Sequence, residues 1–289
     1  MPPFSSDLSP FTVAQAVMQA AQQGLARVDA QMLLLHVFQR PTHDRAWLLT
    51  HDTQALNPDQ QQHWRLLCAQ RLDGVPVAYL TGCKEFFGLP LCVDARVLDP
   101  RPDTETLVQW VLDVAEKMIS PAIVDLGTGS GAIACAVQSQ RPDAHVTAAD
   151  ISQDALDVAA ANAQRLQLPV KFVQSSWLQK VQGPFDIIVS NPPYICEEDV
   201  HMQALRHEPR HALISGQDGL TDIRAIIAQA MACLHPGGWL LLEHGWDQAS
   251  AVQQLLGQAA FINVHSRQDL AGIDRCTGGQ KPAALVNPQ

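Results

Sequence analysis

The chain has no excess of positive charge to offer a polyanion. Its 19 lysines and arginines stand against 29 aspartates and glutamates, a formal charge of -10, whereas tight binding to a phosphate backbone needs basic side chains to replace condensed counterions. Neither half hides a basic lobe, since residues 1 to 100 carry seven basic and nine acidic side chains and residues 101 to 289 carry twelve and twenty. No direct nucleic-acid partner is therefore expected. The sequence also lacks any C-x-x-C pair. Its seven cysteines (Cys68, Cys83, Cys92, Cys135, Cys196, Cys233, Cys276) are odd in number, which speaks against a disulfide framework and a zinc knuckle and suits a reducing cytosol. No two of His36, His43, His51 and His63 share a helix face at i, i+4, so no metal is expected. The opening Met1-Pro2-Pro3-Phe4-Ser5-Ser6-Asp7 has neither the basic nor the apolar region of a secretory leader. No later run reaches about 18 uninterrupted apolar residues. A cytoplasmic chain without membrane contact is the expectation. Internal repeats and low-complexity tracts are absent as well.

What is there is enough apolar material for more than one core. With 289 residues, 47% of them hydrophobic, and roughly 150 residues per domain, about two domains are expected. From Thr12 to about Arg71 the apolar residues recur at helical spacing, as in Val13, Ala16, Val17, Ala20 and Ala30, Leu33, Leu34, Val37. Gly24, Pro41-Thr42 and Asn57-Pro58-Asp59 break the pattern, with Asn57 suited to cap a helix and Pro58 to begin it. This first domain, residues 1-73, carries no acid, base or metal cluster and reads as a recognition or docking element. Residues 74-102, punctuated by Gly74, Pro76, Gly82, Gly88, Pro90, Pro100 and Pro102, read as a β-hairpin linker. Beyond a helix over Thr104 to Met118, strands are expected at Ala122 to Leu126, His145 to Asp150, Val170 to Gln174, Phe185 to Ser190, Trp239 to His244 and Phe261 to His265. Helices fill the gaps after Gly131, Ser152, Gly219 and Gln248. Such alternation makes residues 103-289 an α/β domain with a largely parallel, doubly wound sheet. Its ligands belong outside the carboxyl ends of the strands.

Two strand ends carry the chemistry. After the first strand comes Asp125-Leu126-Gly127-Thr128-Gly129-Ser130-Gly131-Ala132, a glycine-rich turn that opens a helix and allows close backbone approach to a ligand. Asp150, 23 positions after Gly127 and at the end of the second strand, is placed to accept hydrogen bonds from ribose hydroxyls. These two features fit adenosine in any form, and Gly127, Gly129 and Ala132 also satisfy the dinucleotide fingerprint. The fourth strand is followed by Ser190-Asn191-Pro192-Pro193-Tyr194. A turn stiffened by two prolines can aim the Asn191 amide oxygen and the Pro192 carbonyl at one point. Two convergent acceptors suit an NH2 group. An amide or aromatic amine is a weak nucleophile because its lone pair is delocalised, and acceptors on both hydrogens favour the charge that develops as it attacks a sulfonium methyl. Orientation and electrostatics then supply the rate without an obvious general base. Tyr194 is expected to wall the pocket.

These residues resemble the HemK-type methyltransferases, which modify the side-chain amide nitrogen of a glutamine in peptide-chain release factors. The likeness runs through nearly the whole chain: Pro76 to Gly82, Phe87-Gly88-Leu89, Pro100 to Glu105, Asp125 to Ala134, Ala149 to Ser152, Asn191 to Tyr194, Glu208-Pro209, Gly216 to Leu220, Glu243-His244-Gly245 and Asp269 to Gly272. It implies a seven-stranded, Rossmann-like class I methyltransferase domain preceded by a small helical domain and a hairpin. It implies S-adenosyl-L-methionine as cofactor and S-adenosyl-L-homocysteine as product, held by Gly127, Thr128, Gly129, Ser130 and Gly131, by Asp150 at the ribose, by Trp177 near the adenine and by Asn191. It further implies that Asn191, Pro192, Pro193 and Tyr194 hold the glutamine of the Gly-Gly-Gln motif, with Asn191, Pro192 and Tyr194 carrying catalysis in support of translation termination. Class I release factors are then the partners. The chain departs from the family pattern at Asp99, usually apolar, and at Asp103, usually glutamate.

Three features admit competing readings. Glu243-His244 reads as hydrogen-bonding support for the pocket rather than an acid-base pair. Glu197-Glu198-Asp199 reads as a solvated loop. Gly278-Gly279-Gln280 repeats the tripeptide that the family methylates, and a coincidence in a C-terminal loop or strand is the expectation. Among rival functions, an adenine-N6 DNA methyltransferase faces the same problem of an exocyclic NH2 but calls for a basic surface. A nicotinamide oxidoreductase has no use for Asn191 to Tyr194, and a nucleotide-binding module would bind without turnover.

Overall fold

The computed structural model describes residues 11–283. The opening segment Met1 to Asp7 lies outside them, as do the outer ends of the 1-73 and 103-289 domains. The chain divides into two compact units, Met1–Gly82 and Cys83–Gln289.

The first unit is helical: α1 (Val13–Gln22), α2 (Arg27–Val37), α3 (Arg45–Thr50), α4 (Pro58–Leu72) and α5 (Val77–Thr81). Two of its helices start at reciprocal caps. Thr12 and Gln15 bond each other's backbone at α1, and Asn57 and Gln60 do so at α4, where Pro58 occupies the first turn. Each cap satisfies two of the N–H groups that a helix start leaves without partners. The apolar stripes close on one core in which Ala16, Leu33, Leu34, Trp64 and Leu67 are all buried. Helix α5 lies in the stretch read as a hairpin linker and ends at Gly82, whose left-handed backbone (φ 67°) terminates it.

The second unit begins with the hairpin β1 (Cys83–Phe86) and β2 (Leu89–Cys92) and continues through α6 (Glu105–Ala115), β3 (Ala122–Leu126), α7 (Ala132–Gln140), β4 (His145–Asp150), α8 (Gln153–Arg165), β5 (Lys171–Gln174), β6 (Phe185–Ser190), α9 (Thr221–Cys233), β7 (Leu234–Glu243), α10 (Ala249–Gln258), β8 (Ile262–Gln268) and β9 (Asp274–Gln280). The sheet has seven strands in the order β5-β4-β3-β6-β7-β9-β8. Its pairs are parallel from β5 to β7, and β9 runs antiparallel to both β7 and β8. The central strands are buried on both faces, as their predominantly apolar sequences allow: Ile123, Val124, Leu126, Ile187, Ile188 and Val189 are fully buried. Because β4 lies on one side of β3 and β6 on the other, the order switches at β3. A crevice opens there at the carboxyl ends. Among the described residues no helix is long and apolar enough to cross a membrane.

Candidate active site

Three adjacent strand ends, those of β4, β3 and β6, bring the glycine turn, Asp150 and Asn191 to one edge of the sheet. The turn after β3 needs left-handed backbone at Gly127 (φ 68°), Gly129 (φ 56°) and Gly131 (φ 80°). Two of these glycines also lack room for a side chain: a Cβ on Gly131 would lie 3.1 Å from that of Ala159, and one on Gly127 would lie 3.3 Å from the Trp177 ring. The backbone is held in place by Gly127 and Thr128, whose N–H groups donate to the Ala149 carbonyl at 2.8 and 3.0 Å. Asp150 Oδ2 accepts from the Gly129 N–H at 3.0 Å and its Oδ1 from that of Ser152 at 2.9 Å. Each carboxylate oxygen keeps a lone pair for a further donor. The resulting cavity of about 370 Å³ is lined by Gly127, Gly129, Asp150, Trp177, Asn191 and Pro193 among others.

Asp125 braces the turn from beneath. Its buried carboxyl accepts from the Thr128 hydroxyl at 2.6 Å and the Ala134 N–H at 3.2 Å, and burial pushes its pKa up to about 7. The folded state therefore retains this proton at pH values where the unfolded chain has lost it, so Asp125 costs stability progressively as pH rises from about 4 through about 7. Asp125→Asn, which keeps an acceptor but does not titrate, should gain on wild type by on the order of 2 kcal/mol more at pH 8 than at pH 5. Equal differences at the two pH values in urea unfolding would rule out this titration.

The turn after β6 is fixed at several points. The buried Ser190 donates its hydroxyl to the Leu126 carbonyl at 2.7 Å, tying the ends of β6 and β3 together. Asn191 Nδ2 donates to Thr104 Oγ1 at 3.1 Å. The Tyr194 carbonyl accepts from Gln248 Nε2 at 3.0 Å, and the Ile195 N–H donates to the Leu213 carbonyl at 2.9 Å. The Tyr194 hydroxyl points to Glu243 Oε1 at 3.5 Å. Burial raises the pKa of Tyr194, with the neighbouring Glu243 adding to the effect. A second cavity of about 300 Å³ lies on this side, lined by Arg101, Asn191, Pro192, Tyr194, Leu205 and Leu213 among others. Asn191 thus lines both cavities.

Of the residues expected to hold a cofactor, Gly127, Gly129, Asp150, Trp177 and Asn191 face the first cavity. Thr128 and Ser130 are buried, Thr128 against Asp125 and Ser130 through its carbonyl to Asn162 Nδ2 at 3.0 Å. Gly131 packs on Ala159. These three shape the turn and do not line the cavity. In the proline turn Pro192 and Tyr194 line the second cavity and Pro193 the first. Both His244 nitrogens are engaged, Nδ1 with the Gly245 carbonyl at 2.8 Å and Nε2 with Thr277 Oγ1 at 2.7 Å, and burial lowers its pKa. The departures at Asp99 and Asp103 are both ion-paired: Asp99 with Lys84 at 3.1 Å and Arg101 at 3.6 Å, Asp103 with Arg275 at 3.4 Å. Gly278 and Gly279 lie in β9, where a Cβ would press on Leu241 and Trp110 or on Phe261. Packing therefore explains this glycine pair. Sequence reasoning passed over Thr104, Gln248, Asn162 and Gly219. Thr104 and Gly219 lie inside segments that carry the family resemblance, the one signal that pointed to them.

Residues 102–216 match the family model of the Methyltransferase small domain, and residues 11–82 match the PrmC N-terminal domain. The chain is 49% identical over 263 residues to a release factor glutamine methyltransferase of Bordetella pertussis, covering 90% of this chain and 96% of the relative. It is 46% identical over 271 residues to that of Xylella fastidiosa, covering 92% and 98%. Among solved structures, a methyltransferase from Pyrococcus furiosus shares the fold with a TM-score of 0.52 at 19% identity, over 74% of this chain and 97% of that one. The 16S rRNA N2 G1207 methyltransferase of T. thermophilus, solved with AdoMet and guanosine, gives a TM-score of 0.52 at 17% identity over 69% and 49%.

Proposed function

The chain belongs to the release factor glutamine methyltransferases, and from that membership we propose that it transfers methyl from S-adenosyl-L-methionine to the side-chain amide nitrogen of the Gly-Gly-Gln glutamine in class I release factors. The observation that carries the reading is the position of Asn191, which lines both cavities while its Nδ2 is held by Thr104. One cavity suits a cofactor and the other a substrate side chain, and the group between them touches both.

The first cavity fits the cofactor on its own terms. Its glycine turn leaves space that a Cβ at Gly127 would fill against Trp177, and Asp150, 9% exposed, has lone pairs left for ribose hydroxyls. Gly127, Gly129 and Asp150 would hold the nucleoside, with Trp177 against the base. When bound, S-adenosyl-L-methionine supplies an electrophilic methyl on a sulfonium sulfur. The protein's own part is positional. Asn191 Oδ1 and the Pro192 carbonyl receive the two hydrogens of the glutamine NH2, which localises the nitrogen lone pair and orients it. Tyr194 closes the wall of the second cavity and Arg101, paired with Glu208 at 2.5 Å, forms its charged edge. The helical unit is taken to dock the release factor, and the setting is the cytosol. Relatives at 46 to 49% identity are glutamine methyltransferases, which favours this reading over the adenine-N6 DNA alternative.

Peptide-resolved mass spectrometry tests the reading directly. A purified unmethylated release factor incubated with this protein and S-adenosyl-L-methionine should gain one methyl on the Gly-Gly-Gln glutamine, with an adenine-containing duplex present and unmodified. Methyl on adenine instead, or on neither, would sink the assignment. Asp150→Ala removes an acceptor for ribose and loosens Gly129. It should weaken cofactor binding about 100-fold, on the scale of two hydrogen bonds to a charged group. An unchanged dissociation constant by calorimetry would remove the ribose contact.

A further inference from the structure

Of the seven cysteines in the chain, Cys83 and Cys92 are the two exposed ones, and both are reduced in this structure. Cys83 begins β1 and Cys92 ends β2, and the antiparallel register sets them directly opposite each other. Opposed residues on neighbouring strands project from the same face. Here that face is the outer one, because Phe86 and Leu91, at alternate positions, point the other way and are buried. The two thiols therefore share one solvent-facing surface at the open end of the hairpin.

Their spacing is one that a disulfide can span. Opposed residues of an antiparallel pair alternate between positions that exchange backbone hydrogen bonds and positions that do not, and side chains lie closer at the second kind. Pro90, which has no N–H to give, stands opposite Glu85 and suits a position of the second kind. Cys83 and Cys92 lie two residues further along each strand and form another. Hydrogen bonding agrees with this placement. The Cys92 N–H donates to Asn162 Oδ1 at 2.7 Å and its carbonyl accepts from Asn162 Nδ2 at 2.9 Å, so these main-chain groups face α8. Such a pair has a Cα separation of about 4.5 Å, inside the range of roughly 4.4 to 6.8 Å found across disulfides. The frame is also firm. Asn162 is buried and donates to the Ser130 carbonyl at 3.0 Å, which ties the end of β2 to the glycine turn. Arg165, whose guanidinium donates to the Pro90 carbonyl, lies with Cys92 within electrostatic reach of Cys83. A fixed cation beside two thiols suits an anionic reagent.

We propose that Cys83 and Cys92 form a thiol modification site that closes to a disulfide by exchange with small anionic disulfides of the glutathione type. The thiolate of one cysteine attacks a sulfur of the reagent, whose S–S bond breaks and releases one thiolate. The second cysteine then attacks the protein-bound sulfur of this mixed disulfide. That step forms the bond between Cys83 and Cys92 and releases the other half of the reagent. The two protons given up by the cysteines end on the two released thiolates, so the chain loses two electrons and the reagent gains them. Excess small thiol drives the same steps backwards. The site is separate from the methyl-transfer reading and does not depend on it.

The test equilibrates the reduced full chain with mixtures of reduced and oxidised glutathione, quenches with acid, unfolds the protein, counts its thiols and maps its peptides by mass spectrometry without reductant. The count should fall from seven to five. One product should join the peptides of Cys83 and Cys92 with the loss of two hydrogens, and dithiothreitol should restore all seven thiols. Cys83→Ser and Cys92→Ser should each form no such product. Because eight residues separate the two cysteines, an unfolded chain can also link them, and the folded register must do better. The equilibrium constant for closure should be at least about tenfold larger in the native chain than in urea. Separate glutathione adducts on the two cysteines, no reaction at either, or closure no more favourable than in urea would each overturn the site.

Discussion

Asn191→Ala should lower kcat on the release factor by about 1000-fold, at the upper end of what removing one preorganised polar group costs an enzyme. The size follows from the absence of a second group that does the same work. Pro192 supplies one carbonyl acceptor, and without Oδ1 the amide nitrogen is held by a single hydrogen and is free to rotate about it. The loss should fall on turnover. On the proposed reading the cofactor is held by Gly127, Gly129 and Asp150 as well as Asn191, all of which line the first cavity, so its dissociation constant should rise less than about tenfold, equivalent to roughly one hydrogen bond. Asn191→Asp separates polarity from shape. A carboxylate still offers an acceptor, but in its ionised form it cannot donate to Thr104 Oγ1 and so loses the bond that orients Asn191. It should therefore also be slow, and should recover partly at low pH as the carboxyl takes a proton. Single-turnover assays with calorimetry on both variants separate the two effects. Turnover within threefold of wild type in Asn191→Ala would remove the role given to this side chain.

The central strands were legible because parallel strands buried on both faces must be largely apolar. Ala122–Leu126, His145–Asp150 and Phe185–Ser190 begin and end where the composition says. The last strand was harder. Asp274–Gln280 has two consecutive glycines and no alternation, and it becomes a strand through pairing with β7 and β8, with Gly278 pressed against Leu241 and Trp110. Helix α5 was hidden for a related reason, since Pro76 and Gly82 read as turn punctuation when they are in fact its two ends. At the site, residues that follow strands announced themselves by position, as with Asp150 and Asn191. Those that hold them did not. Thr104 is 87 residues from Asn191 along the chain, and no local pattern in a single sequence records a contact of that span. Thr128 and Ser130 show the converse limit: the turn motif names them, but only the folded backbone shows that they face inward.

Gly219→Ala should lower turnover about 100-fold while leaving cofactor affinity within about threefold, because it acts on the position of the proline turn and not on its chemistry. Gly219 has a left-handed backbone (φ 72°), and a Cβ there would lie 2.3 Å from the Tyr194 carbonyl oxygen and 2.7 Å from Gln248 Nε2. The nearer atom belongs to the backbone, so it has no rotamer with which to move aside. Relief requires either the segment before α9 or the turn at Tyr194 to shift, and the Gln248 bond to the Tyr194 carbonyl at 3.0 Å is lost in both cases. A displacement of about 1 Å at Tyr194 carries Pro192 and Asn191 with it, which is enough to cost about two orders of magnitude in a reaction governed by orientation. The first cavity should be spared, since Gly219 is not among the residues lining it. Gln248→Ala provides the comparison: it removes the same hydrogen bond without the clash and should cost no more than about tenfold. If Gly219→Ala instead matched Gln248→Ala in turnover, the clash would be absorbed elsewhere, and the closeness of Gly219 to Tyr194 would have no bearing on how the substrate amide is held.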